Sequence, residues 1–217
     1  MLDELALKYG TDKGSQYHGY TRYYEMVLGP IKDQPLKIME IGIHKGASLK
    51  MWKEYFPNAI IYGIDANPDC KFLEEDRIFI ATGSQEHTDF LNKTINKAGH
   101  MDIIIDDGSH LSTHQILTFN VLFPFVKPGG WYIIEDLYAS YLPNYNENAD
   151  ITGLAYCQKL VGHINLNGKS MPIPSKHRRI KELEAKGIEL NYLEKNIEYL
   201  FFFPGMCMIK KLGEPNV

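Results

Sequence analysis

Leu36–Ile41 reads LKIMEI, Gly42–Gly46 reads GIHKG, and Ala47–Tyr55 reads ASLKMWKEY. The first piece follows Pro35 and is almost wholly apolar, the pattern of a strand buried on both faces. The third has helical spacing, with Leu49, Trp52 and Phe56 on one face. Between them lies a glycine-bounded turn, which lets a ligand approach the backbone closely. Strand, glycine turn and helix in that order open a βαβ unit, and the rest of the chain repeats the alternation. Ile60–Ile64 and Arg77–Ala81 read as strands, Phe90–Ala98 as a helix and Met101–Ile105 as a strand with almost no polar interruption. Gln115–Phe125 reads as a helix that stops before a turn at Pro128-Gly129-Gly130, and Trp131–Ile134 reads as a fifth strand. Short apolar strands alternating with helices predict an α/β fold, a mostly parallel sheet covered on both faces. Near the end, Ile197–Phe203 and Met206–Lys210 flank Pro204-Gly205, a hairpin that makes one terminal strand antiparallel.

Composition sets outer bounds. The chain has 217 residues, 44% hydrophobic and 23% charged, enough for a single domain over 1–217. Lys plus Arg is 23 against 27 for Asp plus Glu, a net charge of −4, so nothing pulls the chain as a whole toward nucleic acid or an anionic membrane. Lys176–Lys186 is locally basic and reads as a solvated helix face. Cys70, Cys157 and Cys207 are odd in number and lack metal-ligand spacing, which fits a reducing, cytoplasmic setting. No apolar run approaches the roughly 18 residues of a membrane span, and Met1–Lys8 lacks the pattern of a signal peptide. Residues 1–34 are expected to form a short helix and a loop that cap the carboxyl edge of the sheet. The less regular stretch 137–176, with Tyr138, Tyr141, Tyr145, Pro172 and Pro174, is expected to lie over the same edge as an insertion.

In open α/β sheets ligands bind beyond the carboxyl ends of the strands. There the sequence gathers Glu40, Asp65, Asp106, Asp107, Glu135 and Asp136. Acidic groups avoid burial unless they are paired or bind something. The turn Gly42–Gly46 together with Asp65, about 20 residues on, points to an adenosine-containing cofactor whose ribose hydroxyls Asp65 accepts. The spacing is not G-x-G-x-x-G, and Glu40 would repel a phosphate, so a cofactor without a pyrophosphate is favoured over a nicotinamide dinucleotide. Asp107, Glu135 and Asp136 should converge from neighbouring strands, and three carboxylates in one small space call for a cation. All-oxygen ligation favours Mg²⁺, or Mn²⁺ or Ca²⁺, over zinc. His110, three residues past Asp107, is placed to act as general base on a hydroxyl. His114 completes an H-x-x-x-H pattern, but carboxylates are the only further partners on offer and a zinc site is not favoured. His44 and His163 read as surface or loop residues, and Met206, Cys207 and Met208 as core.

These segments taken together resemble a known family. Glu40–Trp52 (EIGIHKGASLKMW), Tyr62–Asp65 (YGID), Gly83-Ser84-Gln85, Asp106–His110 (DDGSH), Ile134-Glu135-Asp136 and Leu5–Thr21 (LALKYGTDKGSQYHGYT) are similar to the metal-dependent macrolide-sugar O-methyltransferases, which include the mycinamicin and tylosin methyltransferases and related deoxysugar enzymes. The resemblance implies a Rossmann-like class I methyltransferase fold with a mostly parallel seven-stranded sheet. It implies S-adenosyl-L-methionine as cofactor, contacted by Glu40, Gly42, Gly46, Ser48, Asp65, Ser84, Gln85 and Asp106. It implies Mg²⁺ on Asp107, Glu135 and Asp136, with His110 as base and Asp107 beside it in catalysis. Tyr9, Thr11, Asp12 and Lys13 are implied to lie near cofactor or acceptor. The implied acceptor is a hydroxyl of a small sugar-containing molecule.

Three features depart from the family. Its large additional N-terminal domain has no counterpart in this sequence, its longer loop after the first strand is shortened to Ile43-His44-Lys45, and Asn144–Lys186 matches poorly. A capsular or nucleotide-linked sugar is therefore as consistent as an antibiotic. A catechol-type O-methyltransferase and a metal-dependent hydrolase are the competing readings. The aromatic-rich end offers a surface for a homo-oligomer.

Overall fold

The computed structural model describes residues 1–170 and 175–215. Seven strands form one sheet: β1 (Lys37–Ile41), β2 (Ile60–Asp65), β3 (Ile78–Thr82), β4 (Met101–Asp106), β5 (Val126–Ile134), β6 (Ile197–Phe203) and β7 (Met206–Lys211). Their order is β3-β2-β1-β4-β5-β7-β6. The first five are mutually parallel, and β7 runs antiparallel to both of its neighbours. The expected seven-stranded sheet with its antiparallel hairpin strand is present.

The apolar strands follow from two-sided burial. In β4, Ile103 and Ile105 face one core and Ile104 the other. In β5, Trp131 and Ile133 alternate with Tyr132 and Ile134, and in β7 Met206 and Met208 alternate with Cys207 and Ile209. One face is covered by α1 (Leu2–Tyr9), α2 (Thr21–Leu28) and α3 (Ala47–Tyr55) through Leu2, Tyr24, Leu28, Trp52 and Phe56. The other is covered by α4 (Thr88–Ala98), α5 (Ser112–Leu122) and α6 (Gly153–Ile164) through Leu91, Ile95, Phe119, Leu122, Cys157 and Leu160. A smaller cluster of Leu166, Leu183 and Leu190 sits beneath α7 (Lys176–Ala185), which is followed by α8 (Tyr192–Asn196).

Several local expectations are corrected. Pro128-Gly129-Gly130 is not a turn ahead of the fifth strand but part of β5. Val126 pairs with Met101 and Trp131 with Ile103, so Lys127–Gly130 bulge opposite Asp102. A side chain at Gly130 would stand 2.6 Å from the Asp102 carbonyl oxygen, so only glycine passes there. The helix expected over Gln115–Phe125 is α5, which begins at Ser112 and gives way at Phe123 to a 3₁₀ turn containing Pro124. The N-terminal region holds two helices rather than one. The stretch after Asp136 divides. Leu137–Tyr145 forms short 3₁₀ turns, whereas Gly153–Ile164 packs as α6 against α5 and β6. Pro172 and Pro174 lie outside the described residues. His163 is in α6 and half-buried, not on a loop.

The turn after β1 depends on Gly42, whose φ is +84°. A Cβ there would lie 2.0 Å from the carbonyl oxygen of Asp107, so the two strand-end loops touch backbone to backbone. Gly42→Ala must strain the turn and push the Asp107 loop away. We expect it to lower the unfolding free energy by about 3 kcal/mol or more, measured by urea titration. A loss under about 1 kcal/mol would show that the loops have room to separate.

Candidate active site

Parallel pairing brings the acidic strand ends together. Ile41 pairs with Asp106 and Asp106 with Ile134, so the residues just beyond them emerge side by side. Asp107 N–H donates to the Ile41 carbonyl at 2.9 Å, and Glu135 N–H to the Asp106 carbonyl at 3.0 Å. Glu40, one residue before the end of β1, is completely buried.

The Lys13 ammonium lies in the middle of this group. It arrives on the loop between α1 and α2, is fully buried, and contacts Asp107 Oδ2 at 2.5 Å, Glu135 Oε2 at 2.8 Å and Glu40 Oε1 at 3.4 Å. Burial alone would push the ammonium down, but the charges of Asp107, Glu135 and Glu40 more than reverse this and hold it well above the usual lysine range. Glu135 is held well above the usual carboxyl range by burial and by the Asp107 charge, with Lys13 opposing both. Burial also raises Glu40 and Asp107, again opposed by Lys13. One ammonium therefore does not offset the cost of burying these acidic groups together. Two tyrosines on one side of α2 supply further donors. Tyr20 Oη donates to Asp136 Oδ1 at 2.7 Å, and Tyr24 Oη donates to Glu135 Oε1.

Above this buried layer, Asp107, His110 and Asp136 each offer one ligand atom, and these atoms lie within 4.8 Å of one another. His110 Nε2 is 3.5 Å from Asp136 Oδ2, while its Nδ1 is buried without a hydrogen-bond partner. Both residues hold left-handed backbone, His110 at φ 58° and Asp136 at φ 53°. Non-glycine residues adopt that region at a cost of roughly 1–2 kcal/mol, and such strain concentrates at functional sites.

A cleft of about 490 Å³ opens beside the cluster. Gly42, Ile43, His44, Ser48 and Asp65 line one side, Thr11 and Asp12 another, and Asp107, His110 and Asp136 its end. Asp65 Oδ2 accepts from the Ile43 and His44 N–H groups at 3.0 and 2.9 Å, and Oδ1 accepts from Asn67 N–H at 2.8 Å. The carboxylate thus shapes the glycine turn while still facing the cleft. Ser48 Oγ donates to Glu40 Oε2 at 2.8 Å.

The expected residues do not all reach the cleft. Thr11, Gly42, Ser48, Asp65, Asp107, His110 and Asp136 line the cleft. Glu40, Lys13 and Glu135 lie in the charged layer beneath. Gly46 begins α3 and packs on Leu73. Gln85 is buried and acts through neighbours: its Nε2 donates to Asp106 Oδ1 and Thr118 Oγ1, both at 3.1 Å, and its Oε1 accepts from Ser109 N–H at 2.7 Å. Ser84 Oγ accepts from Glu86 N–H at 3.4 Å. Tyr9 donates to Glu54 and is not part of the cleft lining. His114 is held by Ser109 Oγ at 2.8 Å, outside the ligand cluster. Sequence reasoning missed Tyr20 and Tyr24; their four-residue separation is the signal that places both on one side of α2.

Comparison with known proteins adds the following. No family model matches the chain. It is 42% identical over 151 residues to an 8-demethyl-8-(2-methoxy-alpha-L-rhamnosyl)-tetracenomycin-C 3'-O-methyltransferase of Streptomyces olivaceus, covering 66% of this chain and 38% of that protein. It is 32% identical to the mycinamicin VI 2''-O-methyltransferase of Micromonospora griseorubida, covering 97% of this chain and 52% of that one. The structure of the MycE methyltransferase of the mycinamycin pathway, in complex with Mg and SAH, superposes with a TM-score of 0.84 at 30% identity, over 98% of this chain and 54% of that one. The chain thus spans about half or less of the length of these relatives.

Two stability measurements probe the buried layer. Lys13→Met leaves Glu40, Asp107 and Glu135 without their shared cation. The expected loss is roughly 3–5 kcal/mol by denaturant titration, and wild-type stability would disprove the ammonium's role. Burial raises the Asp106 carboxyl to about 7, against about 3.9 in an unfolded chain. The folded state keeps a proton that the unfolded chain has lost, so this group's contribution is full below about pH 4 and is lost as pH rises through about 7. In chelator-treated protein, Asp106→Asn should flatten the decline of unfolding free energy over that interval. An unaltered slope would assign the decline to other groups.

Proposed function

Because the chain belongs to the family of the macrolide- and tetracenomycin-sugar O-methyltransferases, we propose that it transfers the methyl group of S-adenosyl-L-methionine to a hydroxyl of a small sugar-containing molecule. The observation that carries the reading is the cluster of Asp107, His110 and Asp136 at the end of a cleft whose wall is the glycine turn and Asp65.

The residues fit a hard divalent cation. The donors are the carboxylate oxygens of Asp107 and Asp136, and the layer beneath gathers three acidic groups around the single Lys13 ammonium, leaving His110 free of the ion. Asp107 and Asp136 would hold Mg²⁺ or a similar ion, with Glu135 as third carboxylate, linked to Asp107 through the Lys13 ammonium. The residues fit the cofactor as well. Asp65 retains acceptor capacity toward the cleft for ribose hydroxyls, and the glycine turn lines the same cleft beside it. When bound, S-adenosyl-L-methionine supplies the electrophilic methyl group, and the metal raises the acidity of the acceptor hydroxyl.

The chain's own residues do the rest. His110 Nε2, which faces Asp136, receives the hydroxyl proton, and the nearby carboxylates stabilise the imidazolium that forms. The left-handed backbone at His110 and Asp136 sets the direction in which each side chain leaves its loop. Tyr20 keeps Asp136 in place by its hydrogen bond.

Among the described residues no helix is long and apolar enough to cross a membrane. The three cysteines are free and buried, which supports a reducing, cytoplasmic setting. Phe201 and Phe202 are exposed on β6, the edge strand, and are the surface on which a homo-oligomer would form.

His110→Ala should cut the rate of methyl transfer from labelled S-adenosyl-L-methionine to deoxysugar glycosides by roughly 10²–10⁴-fold, with affinity for S-adenosylhomocysteine kept. Asp136→Asn should weaken Mn²⁺ binding, read by electron paramagnetic resonance. Wild-type turnover in the first variant, or unaltered Mn²⁺ affinity in the second, would contradict these assignments.

A further inference from the structure

The basic stretch that reads as a solvated helix face lines a cavity of about 910 Å³. Lys176, His177, Arg178, Arg179 and Lys181 of α7 form one wall, and Glu198 with Leu212–Pro215 the other. The cavity lies far from the cleft. β7 pairs Cys207 with Ile134 and Lys210 with Trp131, so the residues after Lys211 leave the sheet at the end opposite Asp136.

Arg179 is only 7% exposed, yet among the described residues its Nε and Nη2 have no hydrogen-bond partner. Three neighbours of Arg179 on this wall are engaged. Arg178 Nε donates to Glu182 at 2.8 Å, and Lys176 Nζ donates to the His163 carbonyl at 3.1 Å and to that of Ile197. His177 Nε2 is 2.9 Å from the Gly213 carbonyl oxygen. Glu198 and Glu214 line the cavity, but among the described residues no carboxylate forms an ion pair with Arg179.

We propose that this cavity binds a phosphate-class oxyanion, with Arg179 as its buried anchor. A guanidinium keeps its charge, and burying it unpaired costs several kcal/mol. Lys176 adds to that cost. Its ammonium is pushed down to about 8, first by burial and then by the Arg179 charge, so the two cations repel. An anion relieves both effects at once. Nε and Nη2 form the side-on edge of the guanidinium, which matches two oxygens of one phosphate. Lys181 adds charge at the rim. The N-terminus of the ten-residue helix α7, capped by Ser175 Oγ, adds its dipole.

Calorimetric titration with inorganic phosphate and with pyrophosphate, at matched ionic strength in chloride, tests this. The wild type should bind at least one of the two saturably at one site per chain, equally well with or without S-adenosylhomocysteine. Arg179→Gln should weaken binding by about tenfold or more. Arg179→Lys, which keeps the charge and loses the fork, should fall between. Should Arg179→Gln fail to fold, Lys181→Gln serves instead, with an affinity roughly threefold lower. Absence of saturable binding by either probe, affinities unchanged in the folded variants, or competition with S-adenosylhomocysteine would overturn the proposal.

Discussion

The site is organised around one buried ammonium. Lys13 joins a loop near the N-terminus to Glu40, Asp107 and Glu135, which come from three different strand ends. Three carboxylates brought together by parallel pairing would repel one another in a medium of low polarity. The lysine makes their convergence tolerable and, in doing so, ties the N-terminal helices to the sheet edge. Tyr20 and Tyr24 strengthen the same attachment through Asp136 and Glu135. The proposed cation just above this layer would offset acidic groups that Lys13 alone does not pair.

A second constraint is steric. The Gly42 turn and the Asp107 loop meet backbone to backbone. Gly108 meets the side chain of Gln85 just as closely: a Cβ there would be 1.9 Å from Gln85 Oε1. Gln85 in turn holds Ser109 N–H and Asp106, so the loop carrying Asp107 and His110 is fixed from both sides. The positions of Asp107 and His110 thus depend in part on Gln85, which is not part of the cleft lining.

Much of this was legible in the sequence. Unbroken apolar strands such as Met101–Ile105 follow from burial on both faces, and the acidic residues mark the carboxyl edge whatever the details of packing. Pro128-Gly129-Gly130 misled because turn residues in a bulge look the same as turn residues in a loop, and only the partner strand tells them apart. The division of labour within the site was also out of reach. That Lys13 lies among carboxylates, and that Gln85 braces a loop, are facts of tertiary packing between residues far apart in the chain. The basic run after Ser175 carried no sign of which arginine would be buried, because charge spacing alone does not show which side of a helix faces inward.

The central claim is that the cleft beside Asp65 takes an adenosyl cofactor and the carboxylate cluster takes a metal. Calorimetric titration of the purified chain with S-adenosylhomocysteine, with and without Mg²⁺ and with a nicotinamide dinucleotide in parallel, tests it most directly. The account predicts saturable binding of S-adenosylhomocysteine at one site per chain and none of the dinucleotide. Failure to bind S-adenosylhomocysteine under either condition would contradict it.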